Sequence, residues 1–247
     1  MKKFIENMSW TGIVNLDEKH YSSMLVNEFY LGLLLQSNKY EDPPRFNPEV
    51  LYTFIDGHGK TITESNLGKL IGCEYYGDVF EAPRHYQTNN VWDTMAREPE
   101  CKKVASNLKF LPLRFLHHFI ASSIQCRTGA FTRLTTDDIW LLEMASIGTK
   151  INLARFIMKK MVKIMNEKEK EVRSKRMTTS LSQFAIPYVT LITHYAKSSQ
   201  LLQPKYELIL IVVIYNLASI AKMGYKDTDK VRGAQEEDDE GEKGEPT

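Results

Sequence analysis

Apolar residues recur every three to four positions through much of the second half of the chain. The spacing predicts four successive helices, Pro112–Ile124, Thr136–Ile147, Asn152–Lys168 and Pro187–Gln200. Pro112 suits a first helical turn, where its missing N–H is not needed, and it leads the stripe Leu113, Leu116, His117, Ile120 and Ile124. Thr135 or Thr136 caps the second helix. Asp137 and Asp138 fall in its first turn, where exposed N–H groups favour negative charge, and Gly148 supplies a left-handed stop. Asn152 caps the third, on which Phe156, Ile157, Lys160, Met161 and Ile164 continue one face. Pro187 opens the fourth, with Leu191, Ile192 and Tyr195 inward.

Upstream the pattern changes period. Ser22–Gln36 reads as a helix weakened slightly by Gly32, and Asn38–Pro48, with three prolines, as a loop. Val50–Ile55 is rich in β-formers. Asp56, Gly57, His58 and Gly59 follow it, and Lys60–Ile62 returns as a second strand of a hairpin. Thr63 caps a short helix, Glu64–Ile71, that ends at Gly72. Tyr75–Pro99 reads mostly as loop with a short helix near Asn90–Ala96. Trp10–Leu16 reads as a connector, and Glu207–Tyr215 fits either a buried strand or a buried helix. The expected fold is mainly α with a small β-hairpin (α+β). A connector over 1–20 leads into a single helical domain over 21–225, and an acidic tail over 226–247 is too poor in apolar residues to order.

Composition sets limits on this picture. With 247 residues and 43% apolar content the chain can bury a real core. The most apolar runs, Leu31–Leu35 and Leu208–Ile214, fall short of the roughly 18–20 residues of a membrane span, so no membrane partner is expected. Met1–Trp10 carries Glu6, Asn7 and Ser9 where a signal peptide needs an unbroken apolar stretch, and the chain is read as intracellular, nuclear or cytoplasmic. Cys73, Cys101 and Cys126 match neither a disulfide framework nor a zinc pattern and are read as reduced thiols. The net charge of +1 is an average of unlike parts, because Glu236–Thr247 holds seven acidic residues against one lysine.

Candidate chemistry is sparse. His117 and His118 are adjacent, and on a helix neighbours point about 100° apart, so one ring inside and one at the surface is expected in place of a metal grip. His58 reads as a turn residue, and Asp137 and Asp138 as first-turn carboxylates. No glycine-rich phosphate loop, nucleophile elbow or Cys-x-x-Cys pair is present, and no cofactor, metal or small-molecule substrate is expected. The strongest charge feature is Lys159–Arg176, with eight basic residues against three acidic ones. Its cations, Lys159, Lys160, Lys163, Lys168, Lys170, Arg173, Lys175 and Arg176, form a candidate nucleic-acid site. Alternation with Glu167, Glu169 and Glu171 fits a solvated helix end as well.

Three blocks carry a family resemblance, Phe110–Ser123 (FLPLRFLHHFIASS), Leu134–Ile151 (LTTDDIWLLEMASIGTKI) and Ala185–Ser198 (AIPYVTLITHYAKS). In order and spacing they resemble the plant transposon protein domain, found in plant genes derived from retroelements. Gly148, Asn152 and Pro187 hold the family's glycine step, Asn-led helix and Pro-led helix. Upstream, EFYL (Glu28–Leu31), LYTFIDGHGKTI (Leu51–Ile62) and NLGKLIG (Asn66–Gly72) extend the resemblance to roughly residues 25–202. Asp56–Gly59 departs from the family's arginine-glycine approach to the turn, and the charged run Asn166–Arg176 departs in the linker. The resemblance implies retroelement ancestry and brings no catalytic residues. The leading expectation is a non-enzymatic protein of this type acting by nucleic-acid binding or self-association. The alternatives are a degenerate fragment without present function, or a metal-dependent nuclease or transposase remnant using carboxylates such as Asp56, Asp78, Asp93, Asp138 and Glu143.

Overall fold

The computed structural model describes residues 2–14, 16, 20–40, 50–127, 131–174 and 188–210, all within one compact unit, Met1–Val212. The fold is mainly helical with a small β component, as the periodicity predicts. Of the loop expected over Asn38–Pro48, residues 38–40 are helical instead, and residues 41–48, like the acidic tail over 226–247, lie outside the described residues.

The segment read as a connector is folded. It forms α1 (Lys2–Asn7) and α2 (Thr11–Val14) and places Ile5, Met8 and Trp10 in the core. Periodicity does not reveal these helices because each is too short to show a period. Gly12 is placed so that a side chain would run into the carbonyl of Ile71, and this close approach brings α2 against Gly72. Next come β1 (His20–Tyr21) and α3 (Ser23–Tyr40), which continues past the expected end at Gln36.

The hairpin forms as expected from β2 (Val50–Ile55) and β3 (His58–Thr63), paired antiparallel from Val50↔Thr63 to Ile55↔His58. Asp56 and Gly57 both take the left-handed conformation (φ 55° and 71°), which the tight right-twisted turn requires and an Asp-Gly pair accepts. Leu25, Val26, Phe29 and Leu33 of α3 and Leu51 and Ile55 of β2 are buried in the common core, and Thr53 Oγ1 donates to Phe29 O at 2.6 Å. Gly32 sits where α3 crosses the hairpin most closely, with the Phe54 N–H and the Thr53 side chain filling the place of a side chain. Thr53 itself is buried, satisfied by that helix carbonyl.

Thr63 caps α4 (Glu64–Leu70) by accepting from Asn66 N at 3.1 Å, and Gly72 (φ 64°) follows its end. The single helix of the long loop is α5 (Thr88–Met95), which anchors Trp92 beneath Cys101, Nε1 to O at 2.9 Å. The helix expected over Pro112–Ile124 is split in two. Regular α6 (Leu111–Phe119) passes into a π-helical turn at Ile120–Ile124, in which Gln125 N reaches Ile120 O at 2.8 Å. Leu113, Leu116, His117, Ile120 and Ile124 are all buried, so the expected stripe is the buried face.

The expected bounds hold for α7 (Thr136–Ile147), closed by Gly148 at φ 72°. Helix α8 (Leu153–Ser174) runs six residues beyond the expected end at Lys168. Helix α9 (Val189–Ser198) follows Tyr188 (φ 60°) and buries Leu191 and Ile192, while Tyr195 is half-buried; Pro187 lies outside the described residues. Of Glu207–Tyr215, Ile209–Leu210 form a strand, β4, paired with β1, and the remainder from 211 lies outside the described residues. Among the described residues no helix is long and apolar enough to cross a membrane.

In a solvated helix, Gly→Ala gains about 1 kcal/mol. At Gly32 the added methyl would lie 2.7 Å from Thr53 Oγ1. Gly32→Ala is therefore expected to lose about 1–3 kcal/mol through overpacking, read as a lower urea midpoint. A higher midpoint would show that α3 and the hairpin do not meet this closely.

Candidate functional site

The proximal half of α8 belongs to the core. Leu153, Ala154, Phe156, Ile157, Met158, Met161 and Met165 are buried, which leaves Arg155, Lys159 and Lys163 on the more open side of the helix. Lys159 ion-pairs with Glu81 and lies over the Phe80 ring, 5.5 Å from its centroid, and Arg155 lies over the same ring at 5.2 Å. Lys160 ion-pairs with Asp137 of α7 and lies 5.4 Å from the Phe156 ring centroid. Lys163 is exposed. Lys168, Lys170 and Arg173 fall in the distal part of the same helix; Lys175 and Arg176 lie outside the described residues.

Asn152 does more than cap α8. Its Oδ1 accepts from Arg155 N at 3.1 Å, the expected cap, while Nδ2 donates to Glu64 Oε1 at 2.7 Å and to Gly77 O at 3.1 Å. Its own N–H donates to Val79 O at 2.8 Å. Arg155 Nε reaches the second Glu64 oxygen at 2.6 Å, so both oxygens of this buried carboxylate are used. The arrangement joins α4, the loop after it and the start of α8. It is a charge-assisted joint with its groups consumed in bonding.

A second buried network surrounds Asp138. Thr135 and Asp138 make a reciprocal capping box, with Asp138 N to Thr135 Oγ1 at 3.2 Å and Thr135 N to Asp138 Oδ2 at 2.7 Å. Gln125 Nε2 donates to Asp138 Oδ1 at 2.7 Å, and the Thr135 hydroxyl donates to Oδ2 at 2.8 Å. Arg127 Nη2 stands 3.2 Å from the same Oδ2 and 3.3 Å from His117 Nε2, and His117 Nε2 lies 3.7 Å from the carboxylate. Burial pushes the Asp138 carboxyl up, but His117, the Thr135 N–H and the Arg127 charge outweigh it and hold the group below its ordinary value. The aspartate–histidine contact looks like catalytic machinery. Both side chains are fully buried, however, and the carboxylate oxygens already meet four hydrogen-bond or charge donors. No sequence signal links His117 to Asp138, since they stand 21 positions apart; only the capping box is legible.

The remaining candidates are dispersed. Asp56 pairs with Lys205 at the hairpin turn, and Asp78 is exposed with Oδ1 3.8 Å from Arg155 Nη1. Asp93 accepts from Glu100 N at 2.9 Å, and Glu143 accepts from the Tyr86 hydroxyl at 2.7 Å. With Asp138 bound as above, these five carboxylates engage five different sets of partners. Among the described residues, no group of three or more His, Cys, Asp or Glu side chains is placed to hold a metal ion. His58 Nδ1 bonds the Asp56 carbonyl at 2.7 Å within its own turn. His117 is inside as predicted, whereas His118, expected at the surface, is half-buried and lies edge-on to Phe131 with ring centroids 5.5 Å apart. Cys73, Cys101 and Cys126 are free thiols, and burial pushes Cys73 and Cys126 up to about 12, so both are protonated at neutral pH.

No protein-family model, curated protein or solved structure matches the chain.

Asp138→Asn keeps the shape of the side chain and removes its charge from beside Arg127. Breaking a buried pair in this way is expected to lose about 3–5 kcal/mol at neutral pH. Because the folded carboxyl titrates below the unfolded one, its contribution is fully present above about pH 4 and is lost as pH falls through the folded value. The stability gap between wild type and variant, measured in urea, should therefore narrow in acid. A gap that stays constant with pH would mean the charge of Asp138 is not what stabilises the fold.

Proposed function

We propose that the chain is a retroelement-derived, non-enzymatic helical protein of the plant transposon type that acts by binding nucleic acid or a second copy of itself. The observation that carries this reading is a stripe along α8. At about 100° per residue, positions 159, 163, 170 and 173 fall within roughly 80° of one another on one side of the helix, whereas the acidic positions 167, 169 and 171 fall outside that arc. From position 159 to 173 the helix rises about 21 Å, so the stripe spans several phosphate spacings. Gly148 in its left-handed stop and Asn152 at the head of α8 fit the glycine step and Asn-led helix of that family.

The observation that weighs against the nuclease reading is the separate commitment of Asp56, Asp78, Asp93, Asp138 and Glu143, since metal-assisted phosphoryl chemistry needs carboxylates converging on one place. Lys159 and Lys160 hold Glu81 and Asp137, so charge reversal there would disturb joints of the fold as well as any interface.

The direct test reverses Lys163, Lys170 and Arg173 to glutamate and measures retention on immobilised DNA and RNA as salt is raised. The slope of log affinity against log salt should fall by about 0.7 to 0.9 for each phosphate that is no longer neutralised. Unchanged retention and slope would remove the nucleic-acid half of the proposal, and a monomer in sedimentation at high concentration would remove the other half.

A further inference from the structure

A second positive surface is one that no run in the sequence announces. Two isolated antiparallel bridges, Ala96↔Leu108 and Val104↔Arg133, gather residues from three stretches of chain. Arg97 N donates to Asn107 O and Lys109 N to Met95 O, both at 2.8 Å, while Ala105 N reaches Thr132 O at 2.7 Å and Leu134 N reaches Lys103 O at 2.9 Å. Ala96, Leu108, Ala105 and Leu134 point into the core, and the alternation of an extended backbone turns Arg97, Lys109 and Arg133 outward.

Arg97, Lys102, Lys109 and Arg133 are exposed, and none of them forms an ion pair among the described residues. Lys103 adds a fifth cation, bonded to the neutral Asn89 Oδ1 at 2.6 Å. The exposed acids of the stretch, Glu98 and Glu100, pair with none of these cations. Beneath the surface lies Arg114, buried and donating to Leu108 O through Nε and Nη2 at 3.1 and 3.0 Å. Burial, with a smaller contribution from the charge of Arg97, holds its guanidinium below the ordinary value. Helix α6 begins here with no acidic residue in its first turn, so its positive end adds to the same field. At the head of that helix Phe110 is 58% exposed, an unusual position for a phenylalanine, flanked by Lys109 and by Leu111 at 37%.

Unpaired cations around an exposed aromatic face are the chemistry that holds single-stranded nucleic acid, in which phosphates meet the charges and an unstacked base meets the ring. A duplex keeps its bases stacked on one another and cannot use the ring. We propose that the surface formed by Arg97, Lys102, Lys109, Phe110 and Arg133 binds single-stranded nucleic acid, with Phe110 as a base-stacking platform. The proposal rests on the nucleic-acid reading of the chain and supplies its partner class and a second contact surface besides α8.

The experiment is fluorescence anisotropy of the full chain with a labelled 20-nucleotide oligothymidylate and with a duplex of equal length, across a salt series. Four proteins are compared: wild type, the triple variant Lys102→Glu/Lys109→Glu/Arg133→Glu, Phe110→Ala, and the α8 triple variant described above. The first triple variant should lower the single-strand salt slope by about 2. Phe110→Ala should weaken single-strand binding about tenfold while leaving duplex binding and the salt slope unchanged. The substitutions are at exposed positions, and Lys102→Gln/Lys109→Gln/Arg133→Gln, with a native circular-dichroism melt, repeats the test without charge reversal. If both the charge variants and Phe110→Ala bind like wild type while the α8 variant loses binding, this surface is overturned and the nucleic-acid reading stands. If wild type binds neither probe at low salt, both fall.

Discussion

Asp138 is a carboxylate without exposed surface, and a buried charge of this kind persists only where donors and opposite charge converge on it. Its partners come from places the chain must bring together: Thr135 before α7, Gln125 and Arg127 after the π-helical turn, and His117 from α6. Satisfying it constrains how α6 reaches α7. The π-helical turn at Ile120–Ile124 widens the end of the helix so that Gln125 and Arg127 follow on the side of Asp138, and Cys126 between them is held at φ 47°. A non-glycine residue in that left-handed region costs of order 1–3 kcal/mol. The strain persists because its neighbours are fixed by the carboxylate on one side and, on the other, by Tyr188, whose hydroxyl donates to Ile124 O at 2.8 Å.

The other side of the molecule solves the same problem with Glu64. Asn152 and Arg155 take one carboxylate oxygen each, and Asn152 ties the loop over 77–79 to the head of α8. Of the groups that look like chemistry in the sequence, Asp138 and His117 fall in the first of these networks, and both networks use ionisable groups as joints between helices. Separate ion pairs make the proximal lysines of α8 a poor measure of its surface potential. Lys160 closes α8 onto α7 through Asp137, and Lys159 holds Glu81 beside the Phe80 ring. A group at a joint is chosen for its reach and its charge together, so counting it as free charge overstates what a partner would meet.

Features governed by a few consecutive residues are legible in the sequence. Thr135 to Gly148 marks both ends of α7, Asp56–Gly57 marks the hairpin turn, and Thr63 and Asn152 announce their caps, because each depends on backbone geometry that the residue itself imposes. Features decided by distant partners are not. The short helices α1 and α2 are ordered around Trp10, buried against residues far along the chain. Gly32 reads as a flaw in a helix until the hairpin backbone is placed against it. The π-helical turn has no sequence signature of its own here, and the contact of His117 with Asp138 spans a separation at which periodicity carries no information. The candidate site divides in the same way: the stripe on α8 follows from helical period alone, while the involvement of Lys159 and Lys160 requires the fold.

The contrast between a run and a patch follows from the same physics. Charges contiguous in sequence on a helix are dispersed around its circumference, so only some of the cations in Lys159–Arg176 share a side, and those nearest the core are offset by Glu81 and Asp137. Charges scattered in sequence can converge when backbone bridges draw their segments together. Arg97, Lys109 and Arg133 are spread over 37 residues beside core positions such as Ala96, Leu108 and Leu134, each unremarkable as a surface residue. The bridges Ala96↔Leu108 and Val104↔Arg133 bring their backbones together with the cations turned outward and no carboxylate paired to them among the described residues. A net charge of +1 conceals this surface, and a scan for basic runs passes over it. What a polyanion meets is the field of unpaired charges in space, and such charges gather here where the sequence gives little notice of them.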